Sequence, residues 1–140
     1  MFYNKEILNN LFSLITNDEL VNTELNLYLQ NNGDINAVNE DGLSLLMHSI
    51  INNNLTNTLL LINNGANVNH QDHDGYTALF YAALNCDFEA VELLLNNNAN
   101  LYHKDKRNYL ITDILKFKMN LLHKKMYNFL LIQMMENFYP

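Results

Sequence analysis

A single cysteine, Cys86, excludes an internal disulfide, so packing rather than covalent cross-linking must hold this chain together. Proline occurs only at Pro140 and tryptophan is absent. Glycine is confined to Gly33, Gly42, Gly65 and Gly75, each explained by a turn, which leaves no glycine-rich loop for a phosphate. No apolar run approaches the roughly 18 residues that a membrane span requires. Met1 to Glu6 show no signal-peptide pattern, so the expectation is a soluble, cytoplasmic protein without a membrane partner. Basic residues are nearly missing from most of the chain: residues 1–103 hold Lys5 alone against twelve Asp and Glu, a balance of −11. Residues 104–140 reverse this, with seven Lys and Arg against three acids, a balance of +4. An acidic body repels nucleic acid and draws in a basic protein, with a salt-dependent encounter rate. What is plentiful is asparagine, 27 residues in 140, in runs such as 52–54 and 96–98. Asn bonds its own backbone and tolerates unusual dihedrals, so these runs read as turns. The wider richness in Asn, Ile and Tyr reads as a coding bias toward AT-rich DNA. With 49% hydrophobic residues, the composition is ample for one globular domain.

The chain repeats itself. Residues 41–72 laid over 74–105 match at 12 of 32 positions at a spacing of 33. Among the identities are Asp41/Asp74, Gly42/Gly75, Leu46/Leu79, Leu60/Leu93, Leu61/Leu94, Ala66/Ala99 and His70/His103. A fixed period of this size marks stacked supersecondary units, none able to bury its apolar face alone.

The unit Asp74-Gly75-Tyr76-Thr77-Ala78-Leu79-Phe80-Tyr81-Ala82-Ala83, then Val91-Glu92-Leu93-Leu94, resembles an ankyrin repeat. So does Asp41-Gly42-Leu43-Ser44-Leu45-Leu46, with Leu60-Leu61 and Gly65-Ala66-Asn67-Val68-Asn69. The resemblance implies an all-α fold, an ankyrin-type α-solenoid of helix pairs joined by β-turn fingers. Departures from the family pattern fall at the helix opening, where its Pro is Leu45 or Ala78 and its His is Met47 or Phe80. They remove rigidity and polar bonding there without altering the fold. Asn98 replaces the glycine that ends the second helix, and Asn is the next-best residue for a left-handed turn.

One domain over residues 1–140 is expected: a degenerate capping unit at 1–37, clear units at 38–70 and 71–103, and a capping unit at 104–140. Apolar spacing predicts helices over 5–15 and 19–31, and Asn31 to Asn36 read as the Asn63 to Asn69 finger with one residue deleted. The last helix, roughly 121–137, is unusually apolar, with Met126, Tyr127, Phe129, Leu130, Leu131, Ile132, Met134, Met135 and Phe138. It reads either as a thick cap folding back on itself or as a surface covered by a partner, a homodimer included.

By resemblance, partners are held on the finger turns and on the inner edge of the first helices. There the chain offers two rows spaced by 33: Leu43, Tyr76 and Tyr109, and Ile51, Leu84 and Phe117. Around them stand Glu40 and Asp41, His73 and Asp74, and Lys106 and Arg107, running from acidic to basic. Apolar and aromatic residues so placed suit a protein partner. Packing between neighbouring first helices is the alternative for the Ile51 row. His70, Asp72, His73, Asp74, His103 and Asp105 imitate a metal site, but they recur because the repeat recurs, so no metal and no cofactor are expected. Nothing stands at a spacing that would make Cys86 a nucleophile with a base, and His48 and His123 read as solvent-facing or packing residues, so no enzyme is expected. Lysines interleaved with Phe117 and Tyr127 could touch nucleic acid, but the −11 remainder argues against it. The expectation is non-catalytic protein binding: a small stoichiometric inhibitor of immunity type on a basic partner, or else an adaptor, a host-interacting protein or a self-associating scaffold.

Overall fold

The computed structural model describes residues 2–17, 21–118 and 120–137. Eight helices are found among them and no strand, only the isolated bridges Val38 to Ser44 and Lys104 to Leu110. The helices are α1 (Phe2–Thr16), α2 (Asn22–Gln30), α3 (Leu45–Ile51), α4 (Leu55–Asn63), α5 (Ala78–Leu84), α6 (Phe88–Asn96), α7 (Ile111–Lys116) and α8 (Leu121–Glu136). Sequence neighbours pack as pairs, and α1, α3, α5 and α7 pack on one another in a single layer. Small buried side chains on that layer, Ser49, Ala82 and Ala83, let the helices approach closely. The even-numbered helices make no comparably close approach among themselves, so the odd layer is the more tightly packed of the two.

The helix starts keep the period. α2, α4 and α6 begin at 22, 55 and 88, and α3, α5 and α7 at 45, 78 and 111. Side-chain caps explain the repeated second starts: Asn54, Asp87 and Asn120 each accept from the backbone N–H three residues on. The core is one continuous apolar cluster, with Leu11, Ile15, Leu46, Ile50, Leu79, Phe80, Leu94 and Ile111 almost fully enclosed. Between α3 and α4 the core is polar: Ser49 and Thr58 hydroxyls lie 2.8 Å apart, where the next pair has Ala82 and Val91.

This register corrects the reading of the first finger. No residue is deleted: α2 aligns with α4 at a shift of 33, so Asn32 answers to Gly65 and Gly33 to Ala66. The left-handed residue is therefore Asn32, φ 58°, and not Gly33. Gly33 is needed because a Cβ there would sit 2.5 Å from the buried Tyr28 ring. The second helix also starts later than the predicted 19, at Asn22; residues 18–20 lie outside those described.

The final helix resolves the two readings of its apolar content unevenly. Met126 and Leu130 are buried, Tyr127, Phe129, Leu131 and Met134 are half-buried, and Phe129 meets Phe88 edge-on at 5.6 Å. Those residues cap the stack. Ile132 and Met135 are exposed, and Phe138 lies outside the described residues.

Candidate functional site

Three finger turns precede α3, α5 and α7, and one device builds all three. Asn39, Asp72 and Asp105 each accept two backbone N–H bonds through Oδ1: from Asp41 and Leu43, from Asp74 and Tyr76, and from Arg107 and Tyr109. Such turns suit Asn and Asp because their short side chains reach their own backbone two residues on. The second bond in each case fixes Leu43, Tyr76 or Tyr109, which is why these residues form a row. Gly42, Gly75 and Asn108 take the left-handed conformation the turn demands, φ 78°, 81° and 69°.

Neighbouring fingers are tied to each other. His103 Nε2 donates to the Gly75 carbonyl at 2.8 Å, His70 Nε2 to the Gly42 carbonyl at 3.4 Å, and Lys106 N to the Asp74 carbonyl at 3.0 Å. His73 lies over Gly42, where a Cβ would come within 2.8 Å of its ring. The histidines and aspartates that imitated a metal site are thus accounted for as turn-formers and ties. Among the described residues no His, Cys, Asp and Glu group is arranged to hold a metal.

A polar and aromatic network runs along the second and third fingers. Tyr76 stacks on Phe80 at 5.1 Å between centroids, and Arg107 Nη2 donates to its hydroxyl at 2.7 Å. The same guanidinium pairs with Asp105 at 3.2 Å and lies 6.0 Å from the Tyr109 ring centre. Beneath it, the Tyr81 hydroxyl donates to Asp72, and burial together with that carboxylate raises the phenol well above its ordinary pKa. Tyr109 remains 45% exposed, while Leu43 and Tyr76 are half-buried. Glu40, Asp41, His73, Asp74, Lys106 and Arg107 are exposed at the fingertips.

Ile51 and Leu84 are half-buried at the far ends of α3 and α5, about 10 Å along seven-residue helices from the fingers. Phe117, their counterpart by period, stands apart: it is 79% exposed at the C-cap of α7. One part of the surface was not foreseen from the sequence. A groove of about 600 Å³ opens between α1 and the first finger, bordered by Lys5, Leu8, Phe12, Val38, Glu40 and Asp41. Its sequence signal is faint, because α1 carries no recognisable turn motif to show that it faces a finger.

The family model for ankyrin repeats (three copies) matches residues 14–105, about two thirds of the chain. The chain belongs to the ankyrin repeat family. Ankyrin repeats form generally non-catalytic protein-interaction modules, and the fingers described above are the turns of this one. The match stops at Asp105, yet α7 and α8 continue the same helix pairing beyond it. Among curated proteins, none matches the chain. No helix among the described residues is long and apolar enough to cross a membrane.

Proposed function

We propose that this ankyrin protein is a small stoichiometric inhibitor of immunity type, which covers a basic protein with its fingers and odd-layer face. The supporting observation is the charge series on three mutually bonded fingertips: Glu40 and Asp41, then His73 and Asp74, then Lys106 and Arg107. Beside them Leu43, Tyr76 and Tyr109 are held in a row by repeated turn bonds, with Ile51 and Leu84 further along the face. A partner lying across the row meets carboxylates at one end and cations at the other, so the basic part of its surface belongs on the first finger. Rigid, pre-formed aromatic anchors lose little entropy on binding, and charges at the rim steer the encounter.

The test is to isolate partners from source lysate at low salt, identify them, and titrate the purified partner. The expected result is one basic protein at equal stoichiometry, with affinity falling as salt rises. Glu40→Lys with Asp41→Lys, and separately Tyr76→Ala with Leu84→Ala, should each weaken binding by tenfold or more, about 1.4 kcal/mol. Unchanged affinity in both folded double variants removes this face from the interface. Two partners bound at once would favour the adaptor reading instead.

A further inference from the structure

The start of α8 carries surface that neither the core nor the fingers use. Phe117, the C-cap of α7, is 79% exposed, and Leu121 and Leu122, which open α8, are 70% and 50% exposed. α8 is anchored instead through Met126, Leu130 and Phe129, so these three side chains are not needed for its packing. Lys116, Lys118, Lys124 and Lys125 stand exposed around them, and no acid occurs between Lys116 and Glu136. Lys124 and Lys125 lie one helical turn beyond Leu121, hence on the same side. Lys116 pairs with Asp113 at 3.5 Å, whereas Lys118, Lys124 and Lys125 form no ion pair among the described residues. Asp113 on α7 is thus taken up by Lys116; on α6, Asp87 caps its own helix, and Glu89 and Glu92 are exposed.

We propose that this tip is a peripheral docking site for an anionic lipid surface. Three exposed apolar side chains where α7 ends and α8 begins, with four exposed lysines within four residues of them, match an interface whose acyl boundary lies just below its negative headgroups. A bound peptide helix or strand needs a groove or a sheet edge. Three cavities, of about 600, 520 and 370 Å³, lie elsewhere, at α1 and between the end of α6 and α8. The charge split favours one orientation, since +4 resides in residues 104–140 and −11 in the remainder. The acids of the first finger are two layers away, at about 8–10 Å per layer, beyond the screening length of about 8 Å at physiological salt. The expectation of no membrane partner rested on the lack of a spanning run, which does not bear on a tip of this kind. Docking here leaves the fingers free, so the proposal stands or falls independently of the inhibitor reading.

The experiment is sedimentation of the full chain with vesicles of mixed phosphatidylserine and phosphatidylcholine, and with phosphatidylcholine alone. Binding to the mixed vesicles should exceed binding to neutral ones by at least about tenfold and should fall with salt. Phe117→Ser with Leu121→Ser, and separately Lys118→Glu with Lys124→Glu and Lys125→Glu, should each reduce it by at least about tenfold while circular dichroism is unchanged. Failure to bind mixed vesicles, equal binding to neutral ones, or no loss in either variant overturns the proposal. So does displacement by inorganic phosphate beyond that caused by sodium chloride of equal ionic strength, which would mark a free-anion site. A dimer in light scattering that Leu121→Ser converts to monomer also overturns it and assigns the tip to a second copy.

Discussion

Glycine and asparagine positions show how closely single residues are fitted to this stack. Gly33 and Gly65 look interchangeable in the sequence, each following an Asn-Asn pair, but they are kept for different reasons. Gly33 leaves room for the Tyr28 ring, whose hydroxyl donates to the Asp34 carbonyl at 3.1 Å, whereas Gly65 has open space around it and φ 85°. Gly33→Ala should therefore cost about 2 kcal/mol by overpacking, and Gly65→Ala about 1 kcal/mol through its dihedral alone. Thermal unfolding of the two variants checks the order. The sequence could not separate them, because what distinguishes them is a ring five residues upstream. His48 makes a second case. Its Nε2 lies 2.8 Å from Thr16 Oγ1, which donates onward to the Phe12 carbonyl, and its Nδ1 is buried without a partner. Burial lowers its pKa below the ordinary 6.5, an effect the Phe12 carbonyl partly offsets. The native state thus favours neutral imidazole. Its contribution is complete above about pH 6.5 and is lost as pH falls from there through the lowered folded value. The stability drop between about pH 7 and pH 5 should be smaller in His48→Gln, measured by urea denaturation at each pH.

At the scale of the helix, the 33-residue period carried most of the information. It placed α3 to α6 because the turn formers, caps and core leucines recur together, and it even extends to α2, where the finger had been misaligned. Two elements escaped it. In α8 apolar residues occur on every side, so spacing could not tell the buried Met126 and Leu130 from the exposed Leu121 and Ile132. His123 stands at the position of Ala90 and Asn57, and its Nε2 reaches the Leu84 carbonyl at 3.1 Å; a larger group at that layer accompanies a different buried stripe. Phe117 likewise shares a period with Ile51 and Leu84 but not their burial. Leu130→Ala should destabilise the protein by about 3 kcal/mol, while Leu121→Ser should stay within about 0.5 kcal/mol of wild type. Denaturant midpoints of the two would confirm which part of α8 is the cap.

As a whole, the molecule is a one-dimensional stack in which each pair leans mainly on its neighbours. Amide exchange should accordingly be slowest in α3 and α5, which are flanked on both sides, and faster in α2 and α8 at the ends. Hydrogen exchange read by mass spectrometry gives that ranking directly, and equal protection throughout would mean a single cooperative block. The bonds along the turns that follow the second helices also have a direction. Asn36 Oδ1 accepts from Asn67 N and Asn69 Oδ1 from Asn100 N, each at 2.8 Å, so every unit offers an acceptor to the next. At the following position stands Tyr102, whose hydroxyl donates to the Met134 carbonyl of the lengthened α8 instead. The register thus carries its own stop signal: a further unit spliced in after residue 103 would find no rung waiting, and Tyr102→Asn is the change that would let the array grow.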